Sequence, residues 1–166
     1  MSFELKKVKA DSKADLYADL LSQAKGLLHD EHDRVANAAN FSALLYHSLP
    51  DVNWVGFYFI NKGMQGDELL VGPFQGKPAC VHIALGKGVC GTAAKTRETQ
   101  LVPDVNAFPG HIFCDGDSRS ELVVPLIHEG EVLGVLDLDS PKLARFDKED
   151  QAGLEALAKV FLDSLR

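Results

Sequence analysis

The chain has little cysteine, little positive charge and no long hydrophobic run. Three cysteines in 166 residues are few and odd in number, which argues against a secreted scaffold held by disulfides. No apolar stretch approaches the roughly 18 residues of a membrane span, and the start of the chain lacks the apolar core of a signal peptide. Seventeen basic residues oppose 24 acidic ones, for a net charge of −7, so the basic footprint of a general nucleic-acid-binding protein is missing. We expect a cytoplasmic protein without nucleic-acid or membrane partners.

The remaining composition is that of one globular domain. Hydrophobic residues make up 46% of the chain and charged residues 25%, which is an ordinary balance. A length of 166 residues falls within the roughly 100–200 residues of a single domain. We find no repeat and no linker, and we therefore expect one domain over residues 1–166.

Amphipathic helices are predicted at both ends of the chain. Apolar residues recur at a 3.6-residue spacing over 17–28, over 35–45 and over 154–165. A proline ends the second helix, because the residue before a proline avoids helical geometry. The expected boundary residues are Ser12, Pro50 and Asp147. The expected inward face of the second helix is Val35, Ala38, Ala39, Ser42 and Leu45.

Strands are predicted between these helices. The segments are rich in β-branched and aromatic residues, with turns expected at 61–63 and 128–131. Pro125 counts against one of them as a fully paired central strand. Residues 86–118 look mostly irregular, and so long an irregular stretch is usually functional. The expected strands are 54–60, 68–71, 80–85, 121–127 and 132–138. This order predicts an α+β fold with a mostly antiparallel sheet.

All three cysteines lie in or beside the irregular segment. Any one of them is as readily a small buried hydrophobe as a reactive group. Cys114 lies in a glycine-flanked loop, where a thiol can meet a solute. Cys90 precedes a short predicted helix, whose N-terminus would lower the pKa of a thiol. Asp115 and Asp117 should raise the pKa of Cys114 unless the fold turns them away, so local physics slightly favours Cys90 as the nucleophile.

Two motifs in this segment resemble binding signatures. Residues 86–91 match G-x-G-x-x-G, but a dinucleotide site also needs a βαβ unit and a full helix, and we reject it. His111 and Cys114 have an H-x-x-C spacing, and two further cysteines would complete four zinc ligands. Cys80 and Cys90 are ten residues apart, whereas structural zinc sites use close pairs, so zinc is a minor alternative.

Acidic residues form a second constellation. Asp137 and Asp139 lie two apart on one predicted strand, so their side chains point to the same face. Glu121 begins the strand before it, in register with them if the turn lies near residues 129–130. The plainer interpretation is a strand end that emerges into solvent. If the three acids converge, they raise one another's pKa, and a protonated carboxyl can act as a general acid.

Trp54, Gly56 and Tyr58 share one face of the first predicted strand. Ordinary core packing is the commoner fate of such aromatics. The functional alternative is that a small ligand rests between the two rings, in the gap that the glycine leaves.

Together these motifs closely resemble the free methionine-(R)-sulfoxide reductases, from about Tyr17 to the C-terminus. The segments that carry the resemblance are 53–58, 76–80, 86–91, 104–111, 118–121 and 134–140. The family is built on a GAF domain, an antiparallel sheet of about six strands with N-terminal and C-terminal helices packed on it. One departure is Phe113, which is bulkier than the small residue expected before Cys114.

The resemblance implies a mechanism. Cys114 would attack the sulfoxide sulfur and become a sulfenic acid, and Cys80 or Cys90 would condense with it to a disulfide that thioredoxin reduces. No bound cofactor or metal is implied. The acids would bind the polar sulfoxide end and protonate its oxygen, with Asp139 counted among the catalytic groups and Glu121 and Asp137 among the binding ones. Trp54 and Tyr58 would hold the methyl group.

Two alternatives stay open at this point. The rival function is a sensory GAF module that binds a small effector and catalyses nothing. A homodimer is compatible with the sequence, because the N-terminal helices and the last helix can expose an apolar seam, but no residue specifies it.

Overall fold

Four α-helices and six β-strands build the part of the chain that the structure, a computed structural model, describes: residues 3–6, 10–112 and 114–166. Phe113, the departure noted above, lies outside the described residues. The helices are α1 Lys13–Leu27, α2 Arg34–Ser48, α3 Gly88–Thr96 and α4 Lys148–Ser164. The strands are β1 Trp54–Gly63, β2 Gly66–Gly76, β3 His82–Ala84, β4 Gln100–Val102, β5 Ser120–His128 and β6 Glu131–Ser140.

The predicted helix boundaries are confirmed by side-chain caps. The Ser12 hydroxyl accepts a hydrogen bond from the Asp15 amide at 3.2 Å, which satisfies one of the free N–H groups at the start of α1. Asp147 caps α4 in a reciprocal capping box with Asp150. At the end of α2, Leu49 is extended before Pro50, as expected for a residue that precedes proline.

The predicted inward face of α2 is only partly right. Ala38, Ser42 and Leu45 are buried, but Val35 is 58% exposed and Ala39 is exposed. The helix turns Phe41 inward instead, against Phe57 and Phe161 with ring centroids 5.7 and 5.8 Å away. The reason is tertiary: the large aromatic side chains of β1 and α4 select which stripe of α2 packs on the sheet.

The six strands form one antiparallel sheet in the order β3-β2-β1-β6-β5-β4. Helices α1, α2 and α4 pack on one face, and α3 packs on the other. This confirms the α+β prediction. It also confirms that residues 86–91 are no dinucleotide motif, because the helix after them joins β3 and β4 at opposite edges of an antiparallel sheet.

Three local predictions need correction. The turn expected at 61–63 lies at Met64–Gln65, since Gly63 pairs with Gly66 and the strand continues to that point. The segment 86–118 is more regular than expected, because it contains α3, β4 and a 3-10 helix at Val105–Ala107, all too short for a periodic signal. The expected strand at 80–85 shrinks to β3.

Strand alternation divides the side chains of the sheet between two cores. Val55 and Phe57 face α1, α2 and α4, whereas Trp54 and Tyr58 face α3. Pro125 lies two residues beyond the last β5 residue paired with β4, Val123, so its missing N–H breaks no bond to that neighbour. None of the helices in the described ranges is both long and apolar enough to cross a membrane.

Candidate active site

The three acids converge where β1, β6 and β5 lie side by side. Glu121 pairs directly with Asp139 across the β5–β6 ladder, and Asp137 pairs with Gly56 on β1. Because side chains alternate along a strand, all three carboxyls project to the α3 face. The convergence predicted from the hairpin register is therefore confirmed. The alternative of a strand end that emerges into solvent is wrong for Asp137, which is 4% exposed, whereas Asp139 is half-buried.

Burial raises the pKa of all three carboxyls. The pKa of Glu121 is raised well above its ordinary value, first by burial and then by the charges of Asp137 and Asp139. The pKa of Asp139 is also raised well above its ordinary value, first by burial and then by the charge of Asp137. Burial also raises the pKa of Asp137. Among the described residues, nothing hydrogen-bonds the buried Oδ1 of Asp137. The cluster can thus supply a proton to a bound polar group.

A disulfide joins Cys80 and Cys114, with their Cα atoms 5.4 Å apart. Cys80 follows β2, and Cys114 lies on the loop that runs from the 3-10 helix to β5. Cys114 lines a cavity with the acid cluster, α3 and the aromatic pair of β1. One sulfur of the disulfide and the three carboxyls therefore line the same cavity.

Cys90 is buried, and the lowered thiol pKa expected from the helix N-terminus is not found. It lies in the first turn of α3, but burial and the charges of Asp137, Glu121 and Asp139 raise the pKa of its thiol well above the ordinary value. Its Sγ lies 3.9 Å from Glu121 Oε2. Desolvation and the nearby acids outweigh the favourable end of a nine-residue helix.

The two aspartates beside Cys114 have different surroundings. Asp117 turns to the surface, where its carboxylate binds Lys77 Nζ at 2.8 Å, and this contact lowers its pKa. Asp115 lines the cavity and accepts a hydrogen bond from the Asp117 amide at 2.9 Å. The fold therefore turns only one of the two charges away from Cys114.

Trp54 and Tyr58 line the cavity, and their polar ends hold the segment that carries Cys80. Trp54 Nε1 donates to the Lys77 carbonyl at 3.1 Å, and the Tyr58 hydroxyl donates to the Cys80 carbonyl at 3.2 Å. The functional alternative placed a ligand in a gap at Gly56, but neighbouring side chains occupy that space. The rings stack with centroids 5.8 Å apart, and a Cβ on Gly56 would lie 2.3 Å from Phe74 Cβ and 2.8 Å from the Trp54 ring.

His111 is the residue to which sequence reasoning gave a role only in the minor zinc alternative. Its imidazole lines the cavity, with Nε2 3.8 Å from Glu121 Oε1 and a side chain only 9% exposed. Burial lowers its pKa. The sequence feature that could have pointed to His111 was its position three residues before Cys114, which places both residues on one loop.

The zinc set predicted as a minor alternative is not assembled, because Cys80 and Cys114 are bonded to each other. Within the described ranges, one group has the geometry to contact a metal: Cys90, Glu121 and Asp137 offer ligand atoms that all lie within 4.8 Å of one another. Burial raises the pKa of each member, and metal binding requires deprotonated ligands.

The fold and the cavity define a GAF domain: residues 29–161 match the GAF domain family. The chain is also similar to proteins of a narrower kind. It is 47% identical over 146 residues to the free methionine-R-sulfoxide reductase of Escherichia coli. The aligned region covers 88% of this chain and 86% of the Escherichia coli protein. It is 47% identical over 154 residues to that of Saccharomyces cerevisiae, covering 90% and 85%. The chain belongs to the free methionine-R-sulfoxide reductase family.

A solved structure supports the same assignment. The free methionine-R-sulfoxide reductase of Neisseria meningitidis in complex with its substrate superimposes with a TM-score of 0.90 at 44% identity, covering 97% of this chain and 94% of that one. The family resemblance expected from the sequence motifs is confirmed.

Proposed function

We propose that this protein reduces free methionine-(R)-sulfoxide to methionine, with electrons supplied by thioredoxin. The observation that carries the proposal is the Cys80–Cys114 disulfide, because Cys114 lines one cavity together with Glu121, Asp137 and Asp139. Relatives at 47% identity are named for this activity. No bound cofactor is needed, because the cysteines themselves carry the electrons.

The first chemical step uses Cys114 and a carboxyl. The Cys114 thiolate attacks the sulfoxide sulfur while a protonated carboxyl gives its proton to the sulfoxide oxygen. The sulfur–oxygen bond of the substrate breaks, the oxygen passes to Cys114 as a sulfenic acid, and methionine leaves. The raised pKa of Glu121 and Asp139 supports their role as proton donors. Asp137 helps to bind the sulfoxide, and Trp54 and Tyr58 face the methyl group.

The second step closes the disulfide. A second thiol attacks the sulfenic sulfur of Cys114, so that water leaves and a disulfide forms. The Cys80–Cys114 bond supports Cys80 as that second thiol, and the burial of Cys90 argues against Cys90 in this role. Thioredoxin then returns two electrons by thiol–disulfide exchange.

A coupled assay tests the proposal. NADPH, thioredoxin reductase, thioredoxin and free methionine sulfoxide are mixed with the protein, and NADPH oxidation is followed. We expect turnover with the R epimer, and loss of turnover in Cys114→Ser. Oxidation no faster than a protein-free control would exclude the enzyme and favour a sensory module, and normal turnover of Cys114→Ser would move the nucleophile elsewhere.

A further inference from the structure

The loop that carries Cys114 is fastened on both sides of His111. On the N-terminal side, the His111 amide donates to the Phe108 carbonyl at 3.2 Å, which closes a turn. On the C-terminal side, Ile112 packs on α3 at Gly88, where an added Cβ would lie 3.1 Å from the Ile112 side chain. Gly88 has φ +61°, a backbone conformation that favours glycine. These contacts keep the imidazole near the acid cluster, with Nε2 3.8 Å from Glu121 Oε1.

The first step of the proposed reaction creates a proton imbalance. The Cys114 thiol must lose a proton to become a nucleophile, and the carboxyl that protonates the sulfoxide oxygen must regain one before the next turnover. Glu121 is 6% exposed, so direct exchange of its proton with water is obstructed. One proton per cycle therefore has to travel from the thiol to the carboxylate.

Few groups can carry that proton. The titratable side chains that face the cavity, apart from Cys114, are His111 and Asp115 on the loop, Glu121 on β5, Asp137 and Asp139 on β6, Tyr58 on β1, and Lys87 and Cys90 at α3. The carboxyls are the acceptors of the proton, and the buried Cys90 thiol and the Tyr58 phenol keep their own because their pKa values are raised. A lysine side chain releases its proton only well above neutral pH, whereas an imidazole both accepts and donates near neutrality.

We infer that His111 relays a proton from the Cys114 thiol to the Glu121 carboxylate, an inference that rests on the proposed function. His111 takes the thiol proton at one ring nitrogen as the thiolate forms. It gives a proton from Nε2 to Glu121 after Glu121 has protonated the sulfoxide oxygen. The imidazole returns to its neutral form, and no proton is gained or lost by the protein in the step.

In the disulfide-bonded structure, His111 and Glu121 are neighbours but are not hydrogen-bonded at Nε2 and Oε1. The separation of 3.8 Å between Nε2 and Glu121 Oε1 is longer than the roughly 2.6–3.2 Å of a productive proton transfer. The two atoms must therefore come closer during the reaction, and catalytic hydrogen bonds are often long before substrate binds. Because His111 takes a proton from the reacting Cys114 thiol, it acts as an acid–base group in the first step.

A single-turnover experiment on reduced protein tests the relay. Methionine formed from free methionine-(R)-sulfoxide is measured against time between pH 5 and 9, without added reductant, for wild type, His111→Ala, His111→Gln and the control His128→Gln. His128 lies at the end of β5 outside the cavity. We expect a loss of roughly 100-fold near pH 7 in both His111 variants, the lower range for removal of an acid–base group.

The two His111 variants separate a relay from a structural role. Glutamine keeps hydrogen bonds but moves no proton, so His111→Gln should stay slow, whereas added imidazole should restore part of the rate of His111→Ala. A normal rate and pH profile in His111→Gln would overturn the inference while leaving the proposed function intact, and so would an absence of imidazole rescue in a folded His111→Ala. No methionine from wild type would instead overturn the proposed function, and the relay with it.

Discussion

Glu121 and Asp139 lie directly opposite each other across the β5–β6 ladder, and both carboxyls face the same cavity. Two acids opposed on one sheet face are unfavourable when both are charged. The burial of Glu121 increases this cost, because the low-dielectric surroundings screen the repulsion poorly. Burial and this repulsion therefore favour a proton on the pair.

Replacing Glu121 with glutamine should stabilise the protein at high pH. The folded-state pKa of Glu121 is raised well above 4.5, so the folded protein binds this proton more tightly than the unfolded chain does. The free energy of unfolding of the wild type must then fall as the pH rises from the unfolded pKa toward the raised one. Glu121→Gln resembles the protonated acid and escapes this loss.

Urea unfolding at pH 4 and pH 8 checks this expectation. At pH 8 Glu121→Gln should unfold with a free energy higher by on the order of 1 kcal/mol, because one pKa unit corresponds to about 1.4 kcal/mol. At pH 4 the two proteins should be equal. The matched control is Glu131→Gln at the exposed end of the same hairpin. A lower free energy of unfolding for Glu121→Gln than for wild type, at pH 8 only, would contradict the expectation.

Cys90 should resist modification in the native reduced protein. Its thiol is 5% exposed and its pKa is raised, whereas thiolate character and access control the rate of alkylation. After reduction, iodoacetamide should label Cys80 and Cys114 well before Cys90. Peptide mass spectrometry of timed samples measures the order, with urea-unfolded protein as the control. Labelling of Cys90 as fast as Cys114 would show that the thiol is accessible.

Reduction of the Cys80–Cys114 bond should lower the free energy of unfolding. The bond closes a loop with a sequence separation of 34 residues, for which loop-closure entropy sets an upper value of about 4 kcal/mol. Chemical unfolding with and without a phosphine reductant measures the difference, and Cys80→Ser serves as a protein that reduction cannot change. An unchanged midpoint in the wild type would mean that native-state strain cancels the entropic gain.

Gly56→Ala should disturb the aromatic wall of the cavity. The new Cβ would lie 2.3 Å from Phe74 Cβ and 2.9 Å from Phe74 Cα, so β1 and β2 must separate or Trp54 must move. Overpacking of this kind costs roughly 1–3 kcal/mol. Thermal unfolding and Trp54 fluorescence report both effects. Gly26→Ala is the control, because nothing lies within 4 Å of its added Cβ, and equal behaviour of the two variants would argue that the strands give way at no cost.

Thioredoxin as the electron donor, the cytoplasmic location, the extent of the domain over 1–166 and a homodimer remain predictions from the sequence. So do the individual roles of Cys114, Asp139 and the aromatic pair. The coupled assay and the cysteine variants address the donor and the nucleophile directly.

The sequence by itself determined the strand faces and the helix boundaries of this protein. A period of two places Asp137 and Asp139 on one face in any antiparallel sheet, and a short hairpin turn brings Glu121 opposite them. Ser12 and Asp147 cap their helices through neighbours a few residues away, so local chemistry suffices.

Only the tertiary structure decided which cysteines pair, that Cys90 is buried against acids, that the space above Gly56 is filled, and that His111 meets Glu121. Each of these depends on loops and strands far apart in the chain that pack against one another. The pKa of a thiol or a carboxyl follows those contacts rather than its sequence neighbours. For that reason the helix N-terminus, a local feature, pointed to Cys90, while the disulfide lies between Cys80 and Cys114.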